Sequence, residues 1–172
     1  PIRKADLEDV DGRWDVIMLH HSFEHLDDQR RVLEQIHGRL ADGGVCVIRT
    51  PVVGSYAWDS YGVCWVQLDA PRHLCLHTVE SLKRLAEGAG LVVENVVFDS
   101  TSFQFWGSEL YSRGVSLQAA RGKTFFKIFS LGELREYGRR AEELNAEGSG
   151  DQAAFYLRKD GQEALDPQEA LD

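Results

Sequence analysis

Trp14-Asp15-Val16-Ile17-Met18-Leu19-His20-His21-Ser22-Phe23-Glu24-His25-Leu26 is the stretch on which the fold turns. Residues 14–19 are a short, nearly continuous apolar run, and such a run predicts a strand buried on both faces, as in the middle of a parallel sheet. Asp27 and Asp28 follow, where a helix N-terminus favours anions. Val32, Leu33, Ile36 and Leu40 then recur at helical spacing. Gly43-Gly44 is expected to end that helix. Residues 45–48 (Val-Cys-Val-Ile) predict a second buried strand, stopped by Pro51. Strand, helix, strand in this order predicts a βαβ unit with a right-handed crossover.

Working outward, residues 52–72 break the rhythm. They hold Tyr56, Trp58, Tyr61 and Trp65 with Gly54 and Gly62, and read as a loop too long to be a mere connection. Thr78 is placed to cap a helix carrying Ser81, Leu82, Leu85 and Ala86, which ends at Gly88 to Gly90. Residues 91–98, rich in β-branched side chains, predict a third strand. Within residues 99–150 the pattern predicts a short helix over 108–113 and a longer one over 131–146. Gly148-Ser149-Gly150 leads into residues 153–158, read as the last strand. Residues 161–172 are acidic, lack an apolar period and are expected to form a disordered tail. The expected organisation is one domain over residues 1–160, with insertions at 52–72 and 99–150.

Composition narrows the classes of function. Of 172 residues, 43% are hydrophobic, enough for a packed core. A formal charge of −9 and a pI near 5.1 argue against a nucleic-acid partner. No apolar run approaches the roughly 20 residues of a membrane span, and no membrane partner is expected. Three cysteines without a framework spacing fit a reduced, cytoplasmic chain.

Three segments carry a resemblance. The first is Ala5-Asp6-Leu7-Glu8-Asp9-Val10, followed by residues 14–17. The second is His20-His21-Ser22-Phe23-Glu24-His25-Leu26, leading to Leu40 and Gly43-Gly44. The third is Asp69-Ala70-Pro71-Arg72-His73-Leu74, followed by Ser81-Leu82 and Gly90-Leu91. In this order they resemble the C-terminal portion of class I S-adenosylmethionine-dependent methyltransferases, nearest the branch that acts on small molecules. The resemblance covers residues 5–98, with residues 153–158 as the final antiparallel strand. It implies an α/β fold: the C-terminal part of a doubly wound, Rossmann-like sheet whose ligand lies at the carboxyl ends of the strands. It also implies that the N-terminal cofactor-binding strands, with their Gly-rich turn and ribose-binding acid, would precede Pro1.

The same resemblance assigns sites. Asp6 and Leu7 match the turn that meets the adenine, and His20, His21 and Ser22 become the wall beside the methionyl and sulfonium end of S-adenosylmethionine. His73 borders the acceptor pocket, where a neutral imidazole is able to take a proton from an acceptor hydroxyl. The implied activity is methyl transfer to a small-molecule acceptor, with oxygen favoured over nitrogen or carbon. Without the Gly-rich turn, this chain alone is expected to bind cofactor weakly or not at all and to be inactive. The strand at residues 16–19 is expected to offer an open edge that either pairs with a second copy or depends on a segment preceding Pro1. The rival reading is a noncatalytic remnant or interaction module.

Two metal patterns also occur. His21-Ser-Phe-Glu24-His25 matches a zinc-protease signature that requires both histidines on one helical face, and His73-Leu-Cys75-Leu-His77 could be drawn as a clip. Neither is adopted, and no metal is expected. The aromatic residues of the insertions, including Phe103, Phe105 and Trp106, are expected mainly to pack those insertions onto the sheet.

Overall fold

The computed structural model describes residues 7–161, the side chain of Lys123 apart. Its sheet has four strands: β1 (Trp14–His20), β2 (Leu40–Pro51), β3 (Leu91–Phe98) and β4 (Gln152–Lys159), in the order β1-β2-β4-β3. β1 and β2 are parallel neighbours, with Val16 opposite Val45 and His20 opposite Arg49. β4 runs antiparallel between β2 and β3. The expected strands therefore form with the expected directions, and β4 separates the second from the third. Asp6 and residues 162–172, most of the expected tail, lie outside the described residues.

α1 (Gln29–Arg39) forms because Asp28 caps it, its side chain accepting from the Arg31 amide, and because Leu33 and Ile36 face the sheet and are fully buried. The expectation that Gly43-Gly44 ends this helix is corrected. The helix stops at Arg39, Leu40 is already extended, and both glycines lie within β2. Gly43 takes a positive φ of 74°, and the β1–β2 register slips between Trp14 and Val16. The glycines thus serve an irregular strand rather than a helix cap. α3 (Val79–Glu87) is capped by Thr78, as expected, and buries Leu82 and Ala86.

β4 is the strand most completely enclosed. Ala153, Phe155 and Leu157 are fully buried, joining Phe23, Leu33, Ile36, Ile48, Leu82 and Leu91 in one core. β1 contradicts the reading of a strand buried on both faces. Ile17 and Leu19 pack toward that core, while Trp14, Val16 and Met18 are 48%, 58% and 61% exposed. Among the described residues β1 has a single neighbour, so its outer edge and one face are uncovered.

The insertions are more ordered than a loop reading implies. Residues 52–72 contain α2 (Tyr56–Tyr61) and two 3-10 turns. Beyond β3, α4 (Phe103–Ser112) begins five residues earlier than expected and is followed by α5 (Phe125–Ile128) and α6 (Leu131–Ala146). Phe105, Ala141 and Leu144 form one small cluster, and Leu110, Ala120 and Phe129 form another. The aromatic residues do pack: Phe105 stacks on Tyr137 at 5.3 Å, and Trp58 meets Trp65 edge-on at 5.7 Å.

Two polar links fasten the insertions to the sheet. Fully buried Trp65 donates its indole N–H to Asp151 Oδ2 at 2.9 Å. Asn145 exchanges two hydrogen bonds with the Ser100 backbone, and Ser100 Oγ accepts from the Gln152 amide at 2.9 Å. Gly150 is required there, since a Cβ would sit 2.4 Å from Asn145 Oδ1 and 2.6 Å from Ser100 Oγ. No helix among the described residues is long and apolar enough to cross a membrane.

Candidate functional site

The carboxyl ends of β1 and β2 gather the predicted residues. β1 closes at exposed His20, and His21 then turns the chain with a left-handed backbone, φ 47°, a conformation uncommon outside glycine and found more often at His than at most residues. The His21 amide donates to the Arg49 carbonyl at 2.9 Å, so the turn is held by β2. Ser22 follows, half-buried, and leads into a 3-10 turn over Phe23–His25.

Arg49 organises this end of the sheet. Its Nε donates to Asp99 Oδ2 at 2.5 Å, and its Nη1 donates to His21 Nε2 at 2.5 Å and His20 Nε2 at 3.2 Å. A guanidinium only donates, so His21 Nε2 is the accepting nitrogen and its Nδ1 carries the proton. Burial, then the neighbouring Arg49 charge, lowers the His21 pKa, with Glu24 opposing.

Glu24 lies beneath. Its side chain is fully buried, and Oε2 accepts from Thr50 Oγ1 at 3.1 Å. Oε1 accepts no hydrogen bond of ordinary geometry: His21 Nδ1 stands 3.4 Å away and His73 Nε2 3.9 Å away. The Glu24 carbonyl accepts from the Leu74 amide at 2.8 Å, which pins the Pro71-Arg72-His73 loop onto the strand end. Gln29, buried on α1, adds to this by donating to the carbonyls of Phe23 and Cys75.

His73 has a defined tautomer. Its Nδ1 is 2.7 Å from the Gln67 carbonyl, which can only accept, so Nδ1 carries the proton and Nε2 the lone pair. That Nε2 faces Glu24 Oε1 and Asp69 Oδ2, each at 3.9 Å, with the side chain 7% exposed. His25 repeats the pattern, with Nδ1 2.8 Å from the Arg72 carbonyl, and its ring centre lies 4.9 Å from that of His73.

The sequence-predicted residues therefore divide. His20, His21, Ser22 and His73 come together around Glu24 and Arg49. Leu7 belongs to a different setting: it lies on a 3-10 turn and, with Ile17, Leu26, Val32 and Ile36, lines an apolar cavity of about 250 Å³. The zinc-protease pattern does not assemble, because residues 23–25 make only a 3-10 turn and the unprotonated nitrogen of His21 is taken by Arg49. Nor does the proposed clip. His77 Nε2 is 2.6 Å from Gln29 Oε1 and its Nδ1 is 3.0 Å from Ser81 Oγ, while His73 points to Glu24. Arg49, Thr50 and Asp99 were not singled out from sequence. The one available signal was a charged residue closing the apolar run 45–48.

Comparison with known proteins agrees with this geometry. A family description of methyltransferase domains matches residues 3–96, more than half of the chain. The fold resembles that of the mitomycin 7-O-methyltransferase MmcR, with a TM-score of 0.54 at 13% identity, over 92% of this chain and 33% of that one. It also resembles the mycolic acid cyclopropane synthase CmaA1 complexed with SAH and CTAB, with a TM-score of 0.50 at 20% identity, over 90% of this chain and 59% of that one. This chain thus spans about a third to three fifths of the proteins it resembles. No curated protein sequence matches it. The matched family, the parallel β1–β2 pair and the antiparallel β4 lead to one assignment: the chain belongs to the class I S-adenosylmethionine-dependent methyltransferases.

Proposed function

We propose that the protein transfers a methyl group from S-adenosylmethionine to an oxygen of a small-molecule acceptor. The observation that carries this reading is the convergence at one end of the parallel β1–β2 pair. There the His20-His21-Ser22 turn and the loop bearing His73 are held together through the Glu24 backbone. Ligands of open α/β sheets bind outside the carboxyl ends of the strands.

The donor set suits the cofactor's chemistry. Arg49, paired through Nε with Asp99, would turn its Nη1 side beside His20 and His21 toward a carboxylate, and the Glu24 carboxylate, with Asp69 paired to Arg72, would favour a sulfonium nearby. When bound, S-adenosylmethionine supplies an electrophilic methyl on a cationic sulfur, which leaves neutral. The protein's contribution is accordingly positioning and electrostatics. His20, His21 and Ser22 would wall the methionyl end, with Asp6 and Leu7 at the adenine. His73 serves the acceptor side, with Nε2 the lone-pair end available to the departing hydroxyl proton.

In our reading the 172-residue chain alone binds cofactor weakly or not at all and does not turn over. The three free cysteines suit a cytoplasmic setting. The test is transfer of a labelled methyl group by the natural full-length protein across a panel of hydroxylated small molecules. Label on an acceptor oxygen supports the proposal. Label on nitrogen or carbon alone overturns the oxygen assignment, and no transfer to any acceptor overturns the activity.

A further inference from the structure

Three electron-rich groups face one another beneath the His21 turn, and one donor, His21 Nδ1, stands 3.4 Å from Glu24 Oε1. One ligand atom from each of Glu24, His25 and His73 lies within 4.8 Å of the other two. Glu24 Oε1 is fully buried and unpartnered. A buried carboxylate oxygen without a donor is costly, and such an exception calls for a partner. His25 and His73 each give their Nδ1 proton to a backbone carbonyl, those of Arg72 and Gln67. That leaves His73 Nε2, with its lone pair, 3.9 Å from Glu24 Oε1, and His25 brings one ring nitrogen to the same cluster. Histidines that hold metals are oriented in just this manner, donating their other nitrogen to a carbonyl or carboxylate. Thr50 supplies the matching outer contact to Glu24 Oε2 at 3.1 Å.

We infer that Glu24, His25 and His73 form a binding site for a divalent transition-metal ion. Two imidazoles and one carboxylate suit zinc, iron or cobalt, and leave coordination positions open to water or ligand. Ligands about 2.1 Å from a tetrahedral ion stand about 3.4 Å apart. His73 Nε2 and Glu24 Oε1, now at 3.9 Å, need to close by about half an ångström. His21 is not a ligand, because Arg49 occupies its lone pair. An ion there occupies the His73 lone pair and the Glu24 carboxylate that methyl transfer would use, so bound metal and methyl transfer exclude one another. The site itself depends only on the cluster's geometry, so metal binding is tested without turnover.

Cobalt(II) titration of the purified protein, followed by calorimetry and visible absorption, decides the matter. We expect one ion per chain and d–d bands without a thiolate charge-transfer band. His25→Ala and His73→Ala should each weaken binding by at least about 10–100-fold, the loss seen when even an outer contact is removed. Thr50→Val, which keeps all three ligands, should weaken it by about 10-fold or more; it reads the Glu24 contact should Glu24→Gln fail to fold. Cys75→Ala should bind as the parent does. A thiolate band, which would place the ion on Cys75 near His77, overturns the proposal. So does the absence of binding, or binding unchanged in His25→Ala.

Discussion

Replacing Trp65 by Phe tests how the His73-bearing insertion is held to the sheet. Trp65 is fully buried, and its indole N–H meets Asp151 Oδ2 at 2.9 Å; Asp151 is 2% exposed. Burial raises the Asp151 pKa, and the Trp65 hydrogen bond, then that of Ser100, pulls it back. The substitution removes a hydrogen bond to a charged group, worth about 1.5–3 kcal/mol. Two lost ring carbons add about 1.6 kcal/mol at roughly 0.8 per buried carbon, for a total of about 3–4.5 kcal/mol. Asp151→Asn keeps an acceptor for the indole and removes a buried charge, so it should cost less than about 1 kcal/mol. In the Asp151→Asn background, Trp65→Phe loses only a neutral hydrogen bond, about 0.5–1.5 kcal/mol, together with the same packing. The double-mutant cycle should therefore give a coupling of about 1–1.5 kcal/mol. Urea midpoints at constant m-value measure it. The pH dependence has a definite sign. A carboxyl whose folded pKa is raised binds more protons folded than unfolded, and once protonated it no longer needs the indole. The Trp65→Phe penalty should shrink as pH falls toward that raised pKa. Zero coupling, or Asp151→Asn as damaging as Trp65→Phe, would show that the link is incidental.

Three further outcomes follow from the same geometry. In the natural full-length protein, His73→Ala should lower turnover by about 10²–10⁴-fold while cofactor affinity changes little; equal losses in both would return His73 to a structural role. Burial lowers the pKa of His77 as well as that of His21. Each therefore binds fewer protons folded than unfolded, so stability falls as pH drops below the unfolded value of about 6.5. His77→Gln should flatten that slope in pH-dependent denaturation, and an unchanged slope would contradict it. Finally, Val16 and Met18 lie exposed on the edge strand β1. The double change Val16→Lys and Met18→Lys should suppress concentration-dependent association in sedimentation, and identical profiles for the two proteins would rule out self-association through that face.

What was legible in the sequence was local. Leu91–Phe98 and Leu131–Ala146 form with the bounds expected from them, because β-branched runs and the Ser130–Glu133 capping box carry their own boundaries. The aromatic run at residues 103–106 hid the first turn of α4, since such residues read equally as strand or loop. Gly43-Gly44 looked like a helix stop because glycine serves caps and strand irregularities alike. Apolar β1 could not disclose which of its faces would be covered, because that depends on neighbours and not on its own residues. The site was legible only in pieces. The order of the segments brought out His20, His21, Ser22 and His73, yet Glu24 gains its meaning from Thr50 and His73, contacts 26 and 49 positions away. Long-range pairing of that kind leaves no periodic trace.

The central claim is that the carboxyl ends of β1 and β2 belong to an S-adenosylmethionine site. Calorimetric titration with S-adenosylhomocysteine tests it most directly, on the full-length protein and its Ser22→Trp variant. The account predicts one site per chain, and loss of binding when the indole introduced by Ser22→Trp fills the wall beside His20 and His21. A folded full-length protein that binds neither S-adenosylmethionine nor its product, or a Ser22→Trp variant that binds as the parent does, would contradict it.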